Sequence, residues 1–268
     1  MLPDRAGSAA IAARSVHPGF RVCIPQAEAS TIRLMDTPKE HGPRRELKSR
    51  NTAWARSLAK ILCASGITPN AISVLSMVCA AGAMGCFLLA PEMKTTTGAA
   101  LLWIGAAACI QLRLVCNLMD GMVAVEGGKA SATGPIYNEA PDRVADVLIL
   151  VGAGYSTNVD PGVLKLCDAL PLGWACAVLA MGTAYLRLLQ GTLTGKQSFM
   201  GPMAKQHRMA VLTFGTLVAV AEQFWRTTKV ADANIDGIKL ALIVIFAGAI
   251  ITCIRRLLLT VRQLHGAP

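Results

Sequence analysis

Hydrophobic and polar positions divide the chain into a polar, basic leader and a series of long apolar segments. Over residues 46–64, Leu47, Trp54, Leu58, Ile61 and Leu62 recur at helical spacing with Lys48, Arg50, Arg56 and Lys60 between them. That pattern predicts a basic amphipathic helix lying at a membrane surface, with Trp54 at headgroup depth. The stretch Gly66-Ile67-Thr68-Pro69-Asn70 ends it, because Gly permits a left-handed turn and the residue before Pro avoids helix. Six candidate spans follow. Residues 71–90 carry no charge, and at about 1.5 Å per residue they cross a hydrocarbon core of about 30 Å. The second span covers 98–119 and contains Arg113; the fourth, fifth and sixth cover 169–186, 209–225 and 238–254. In the third, only 147–155 is uniformly apolar, while the half beginning at Pro135 holds Asn138, Glu139, Asp142, Arg143 and Asp146. Carboxylates at that depth are costly in lipid, so these side chains must face protein, water or a ligand.

Composition agrees with a membrane class. The 268 residues are 53% hydrophobic and 16% charged, with a mean hydropathy of +0.48, against about 25% charged residues in soluble domains. Wholesale disorder and collagen-like architectures are excluded by the apolar content and the lack of a Gly or Pro period. Nine cysteines are present, most inside apolar runs and none in CxxC spacing, where Cys acts as a small buried hydrophobe. His17, His41, His207 and His265 form no ligand pair. Neither a disulfide framework nor zinc chemistry is expected.

The first sixty residues hold eleven Lys or Arg against five acids. Residues 1–45 are expected to form a disordered basic leader: no apolar h-region of about 7–15 residues supports a secretory signal. The spaced arginines leave an organellar transit peptide as one alternative, and Met35 as the true start is another. The membrane domain is expected over 46–256, followed by a short cytosolic tail at 257–268. With the N-terminus cytosolic, inside segments carry 19 Lys or Arg and outside loops four. By the positive-inside rule, both termini are cytosolic. The fold class is therefore all-α integral membrane, with six transmembrane helices and an N-terminal amphipathic surface helix.

Chemistry is concentrated between spans two and three. The sequence reads Asn117-Leu118-Met119-Asp120-Gly121-Met122-Val123-Ala124-Val125, then eight residues, then Gly134-Pro135-Ile136-Tyr137-Asn138-Glu139-Ala140-Pro141-Asp142. On a helix, Asn117, Asp120 and Ala124 share one face, as do Gly134, Asn138, Asp142 and Asp146. Two faces bearing oxygen ligands thus meet near the cytosolic membrane surface, an arrangement suited to a hard cation such as Mg²⁺. Gly121, Ala124 and Gly134 are small where a ligand needs close backbone approach.

This pattern resembles the signature of the CDP-alcohol phosphotransferase family, D-x2-D-G-x2-A-R-x8-G-x3-D-x3-D. The spacing matches throughout, with identities at Asp120, Gly121, Ala124, Gly134 and Asp142. The likeness extends over about residues 46–256, taking in the surface helix, the G-I-T-P-N turn, six spans and a basic segment before span five. Asn117, Val125 and Asn138 stand where the family has Asp, Arg and Asp; Asn donates an oxygen but no charge. Glu126, Glu139 and Asp146 lie close in sequence and offer compensation.

The resemblance implies Mg²⁺-dependent transfer of a phosphatidyl or related phosphoalcohol group. The donor would be a CDP-activated lipid such as CDP-diacylglycerol, the acceptor a polar alcohol and the leaving group CMP. It implies Asn117, Asp120, Asn138 and Asp142 as ligands of Mg²⁺, with Mn²⁺ as a substitute, and Asp142 also as the catalytic base. Gly121, Ala124 and Gly134 would contact the donor nucleotide, and Lys205 and Arg208 its phosphates. A homodimer in a bacterial inner membrane, with its site facing the cytosol, completes the expectation; no nucleic-acid partner is expected.

Plainer roles stand beside these. Asp120 and Asp142 also fit helix-end or salt-bridge positions with Arg113 or Arg143, and Asn117 and Asn138 fit interhelical hydrogen bonds. Asp146 fits a structural pair better than a ligand. Pro141 fits a simple kink, Lys205 and Arg208 fit positive-inside residues, and Arg187 fits either a snorkelling cation or a cavity-lining one. Two other function classes remain open: a non-catalytic relative that binds nucleotide or headgroup, and a small transporter, which would require an internal repeat that the sequence lacks.

Overall fold

A computed structural model of the chain describes residues 52–128, 133–157, 172–228 and 236–266. The expected leader and the first turns of the surface helix lie outside the described residues. All regular elements among the described residues are helical: α1 (Ala53–Ala64), α2 (Pro69–Leu89, followed by a 3₁₀ turn at Ala90–Glu92), α3 (Thr96–Glu126), α4 (Gly134–Tyr155), α5 (Leu172–Thr194), α6 (Lys205–Thr228) and α7 (Gly237–Leu264).

The helix starts follow from local chemistry. Thr68 Oγ1 accepts the Ala71 amide at 3.2 Å with Pro69 in the first turn. Thr95 accepts from Gly98 N at 3.2 Å, and Asp236 accepts from Lys239 N at 2.9 Å. Each satisfies one amide that a helix N-terminus otherwise leaves unpaired. Between α1 and α2, Gly66 adopts φ +78°, a left-handed turn that Gly takes without steric cost.

α1 buries only part of the face that its sequence pattern suggests. Ala55 and Ala59 are fully buried against Ile72, Met119, Met122 and Val123, with Leu58 and Leu62 alongside, whereas Trp54 and Ile61 are exposed. Two small residues let the α1 backbone seat closely on α3. The larger apolar side chains are left to face outward, where a bilayer surface would meet them.

The main core lies between α2, α3, α4, α5, α6 and α7, built from Ala80, Ala83 and Phe87 with Trp103, Ile110, Ile149, Leu150, Leu212, Leu242 and Ile245. The Phe87 and Trp103 rings meet tilted, with centroids 6.0 Å apart. α4 and α5 approach through Gly154 and Gly173, where a Cβ on Gly154 would lie 2.6 Å from the Gly173 Cα. Outward positions such as Val78, Leu101, Val178, Phe214 and Leu240 are exposed. Apolar residues inside and outside alike are what a bundle surrounded by lipid requires.

α2 with its 3₁₀ turn, α3, α5 and α7 are long and apolar enough to cross a membrane: this is a membrane protein with transmembrane helices. Expected spans three and five, α4 and α6, are not in that group. Their sequences show why. α4 carries Asn138, Glu139, Asp142, Arg143 and Asp146, and α6 carries Lys205, Gln206, His207, Arg208, Glu222 and Gln223. Both helices nonetheless pack into the bundle, α4 on α2 and α5, and α6 on α3 and α7.

Candidate active site

α3 has 31 residues, about 46 Å at 1.5 Å per residue and roughly half as long again as the hydrocarbon core. Its last turns hold Asn117, Asp120, Gly121 and Ala124. α2 packs against both α3 and α4, so the polar first half of α4 and the N-terminal half of α2 meet that end of α3. The start of α6 completes the cluster by bringing Lys205 and Arg208.

Asp120 is 4% exposed. Its Oδ2 accepts a 2.8 Å hydrogen bond from Ser73 Oγ on α2, while its Oδ1 is buried with no hydrogen-bond partner. Among the described residues no cation lies within ion-pair distance of it. Asn117, one turn earlier on the same helix, is half-buried, and its Nδ2 is also without a partner.

Asp142 is held differently. Lys205 Nζ donates to its Oδ2, Arg143 Nη2 lies 4.0 Å from the same oxygen, and Arg113 Nη2 lies 3.6 Å from Oδ1. Three cations surround one carboxylate. Arg113, two turns before Asp120 on α3, also donates to the Asp142 carbonyl oxygen at 3.2 Å, which ties the helix that carries one acid to the helix that carries the other.

Asp146 is a structural partner. It is 1% exposed and bridges Arg113 Nη2 at 2.5 Å and Arg208 Nη2 at 2.8 Å. Arg208 also donates to Met203 O at 3.0 Å and Thr183 Oγ1 at 3.2 Å. With 1% of its surface exposed, Arg208 is committed to Asp146 and leaves Lys205, whose side chain is 23% exposed, as the more accessible cation. Asn138, one turn before Asp142, is exposed; Gly121, Ala124 and Gly134 are partly exposed.

Sequence reasoning missed Ser73, whose only signal is a hydroxyl inside an otherwise apolar span. It also missed how Lys205 is delivered. The connection from α5 to α6 is tied down by Ser198 N donating to Gln190 Oε1 at 3.0 Å, Arg256 Nε donating to Met200 O at 3.0 Å and Met203 N donating to Thr252 Oγ1 at 3.1 Å. Outside the buried group, Glu139 pairs with Arg143 at 3.0 Å and with Arg187, and Arg187 lies 5.5 Å from the Phe199 ring centroid.

A hard divalent cation takes oxygen donors, and Mg²⁺ is commonly held by one or two carboxylates together with substrate phosphates. The orphaned buried Asp120 Oδ1, with the Asn117 amide one turn earlier on the same helix, fits that demand. Among the described residues no three His, Cys, Asp or Glu side chains gather into a metal group, so any cation here leans on few protein charges.

Comparison with known proteins places this geometry on a known fold. No family model matches the sequence. The Escherichia coli inner membrane protein YnbA is 28% identical over 116 residues, 42% of this chain and 52% of that protein; the match spans about half the length of that relative. The Mycobacterium tuberculosis phosphatidylinositol phosphate synthase with CDP-DAG bound superposes with a TM-score of 0.58 at 16% identity, covering 78% of this chain and 94% of that one. The same enzyme in complex with manganese and citrate gives a TM-score of 0.56 at 16% identity, covering 77% and 88%. The chain shares the fold of that synthase.

Proposed function

We propose that the chain transfers a phosphatidyl, or related phosphoalcohol, group from a CDP-activated donor such as CDP-diacylglycerol to a polar alcohol, releasing CMP. One observation carries the reading. Asp120 and Asp142, the two acids that keep the family signature, are both buried, and Asp142 is met by Arg113 of α3 and Lys205 of α6. The fold in which they meet holds CDP-DAG in the mycobacterial synthase. α4 and α6 serve as spans three and five, so six helices cross the membrane and both termini and the site face the cytosol. A bacterial inner membrane and a homodimer complete the proposal.

In this reading the acceptor hydroxyl oxygen forms a bond to the donor phosphorus, the bond from that phosphorus to the CMP oxygen breaks, and the hydroxyl proton passes to Asp142. Lys205 shifts from Asp142 toward the donor phosphates as they enter, while Arg113 and Arg208, fixed by Asp146, hold α4 in register beneath them. Gly121, Ala124 and Gly134 admit the cytidine end. Mg²⁺ or Mn²⁺ would be held by Asp120 and Asn117, with Asn138 and Asp142 the other ligands that the resemblance implies, and would neutralise charge on the pyrophosphate. Much of the rate must come from alignment, because a carboxylate surrounded by cations is a weak base.

Labelled CDP-diacylglycerol incubated with purified protein and a panel of alcohols tests the reading: CMP and a labelled phosphodiester are expected. A second reading, a relative that binds nucleotide or headgroup without turnover, is favoured by the exposed Asn138 and the occupied Asp142. Donor binding without CMP release with any alcohol would select it.

A further inference from the structure

The two acids of the site are not equivalent, and the difference bears on how many metal ions the chain can hold. Asp142 already faces the Lys205 ammonium and the Arg113 and Arg143 guanidiniums. Asp120 faces no cation within ion-pair distance among the described residues, and its Oδ1 is buried without any hydrogen-bond partner. A divalent ion gains most where a desolvated carboxylate lacks a counter-charge, and loses where it must displace or sit beside cations already paired with the carboxylate. The neutral oxygen donors divide the same way. Asn117 lies one turn from Asp120 with its amide nitrogen unpartnered, an amide whose oxygen and nitrogen exchange places by a simple flip. Ser73 Oγ already touches Asp120. Beside Asp142, by contrast, the preceding turn offers Asn138, which is exposed.

We infer that the chain binds a single divalent cation, centred on Asp120 with Asn117 and Ser73 around it, and that the Lys205 ammonium takes the place of a second cation at Asp142. Arg113 makes that replacement permanent. It is fully buried, and its Nη2 reaches both the Asp142 carbonyl oxygen, at 3.2 Å, and Asp146. Its charge therefore cannot leave when a ligand enters. The inference rests on the transferase reading only for the identity of the phosphate-bearing ligand; the metal count stands or falls separately.

Mn²⁺ binding to the full-length protein in detergent, followed by the loss of free-ion signal in electron paramagnetic resonance, counts the sites. One Mn²⁺ per chain is expected. Asp120→Asn should abolish it, Asp142→Asn should leave it within about threefold, and Lys205→Gln should admit a second, weaker ion. Asn117→Asp, which adds charge at the occupied end, should tighten the native site on the order of tenfold or more, and it keeps the test decisive if Asp120→Asn does not fold. Two Mn²⁺ in the native protein, none at all, or a site that survives Asp120→Asn and disappears with Asp142→Asn would each overturn the inference. CMP release from CDP-diacylglycerol is scored in parallel. One Mn²⁺ with no turnover removes the transferase reading and keeps the single site, whereas turnover with two Mn²⁺ does the reverse.

Discussion

Arg113 of α3 and Asp146 of α4 form a buried ion pair at 2.5 Å, with 0% and 1% of the two side chains exposed. Asp146 reaches a second buried cation, Arg208 of α6, at 2.8 Å, so one carboxylate fastens three helices. Such a pair adds little net stability over an apolar packing, because desolvation cancels most of the attraction, but removing one partner strands the others. Asp146→Asn should therefore leave two buried guanidiniums short of a counter-charge and cost about 3–5 kcal/mol. Thermal unfolding in detergent reads the loss, and an unchanged midpoint would show that the cluster does not bind the helices together.

Asp142→Asn is expected to reduce transfer by about 10²–10⁴-fold, the usual contribution of a general base, while the protein inserts and folds, because Asp146 still holds Arg113 and Arg208. Retention of more than about a tenth of native turnover would contradict the base role. Mn²⁺ binding by the same variant separates this role from metal ligation.

The residues of the candidate site were partly legible in the sequence. Charged side chains at membrane depth must turn inward, and that rule pointed to Asp142 and Asp146, while the spacing from Asn117 to Asp142 pointed to Asp120. The sequence also favoured Asp146 as a structural partner, and the structure pairs it with Arg113 and Arg208. Which cation meets which acid was not legible. Periodicity places residues on faces of their own helix, but partners are chosen across helices, and the register of α6 against α4 sends Arg208 to Asp146 and Lys205 to Asp142. The same limit hid Ser73 and the Ala55 and Ala59 face of α1: a small residue makes a weak hydrophobic signal even where it decides how closely two backbones approach.

Two glycines with different demands give a stability test. Gly154 lies where a Cβ would come within 2.6 Å of the Gly173 backbone, and neither helix can yield without moving the whole contact. Gly154→Ala should destabilise by about 1–3 kcal/mol, as overpacking of a tight contact does. Gly66 has open space but φ +78°, so Gly66→Ala should cost about 1–2 kcal/mol through backbone strain alone. Equal tolerance of both substitutions would mean that α4 and α5 are not packed so closely.

The Asn residues of the signature allow a final test, in which the structure sets an order between them. If Asn117 borders a cation site at Asp120, Asn117→Asp should raise divalent affinity, because added carboxylate charge favours a hard cation. Asn138 is exposed and lies a turn ahead of the cation-surrounded Asp142, so Asn138→Asp should change affinity little, and the double variant should match Asn117→Asp alone. Without metal, the new carboxylate sits near Asp120 and a like charge is brought toward a buried one, so the unfolding midpoint should fall. Adding Mg²⁺ or Mn²⁺ should restore it in Asn117→Asp and in the double variant, and shift the native protein less. Unfolding curves for all four proteins, with and without metal, decide the matter. Loss of stability in Asn117→Asp with no recovery on metal addition would end the metal-site reading, and recovery that requires Asp at position 138 would move the site from Asp120 to Asp142.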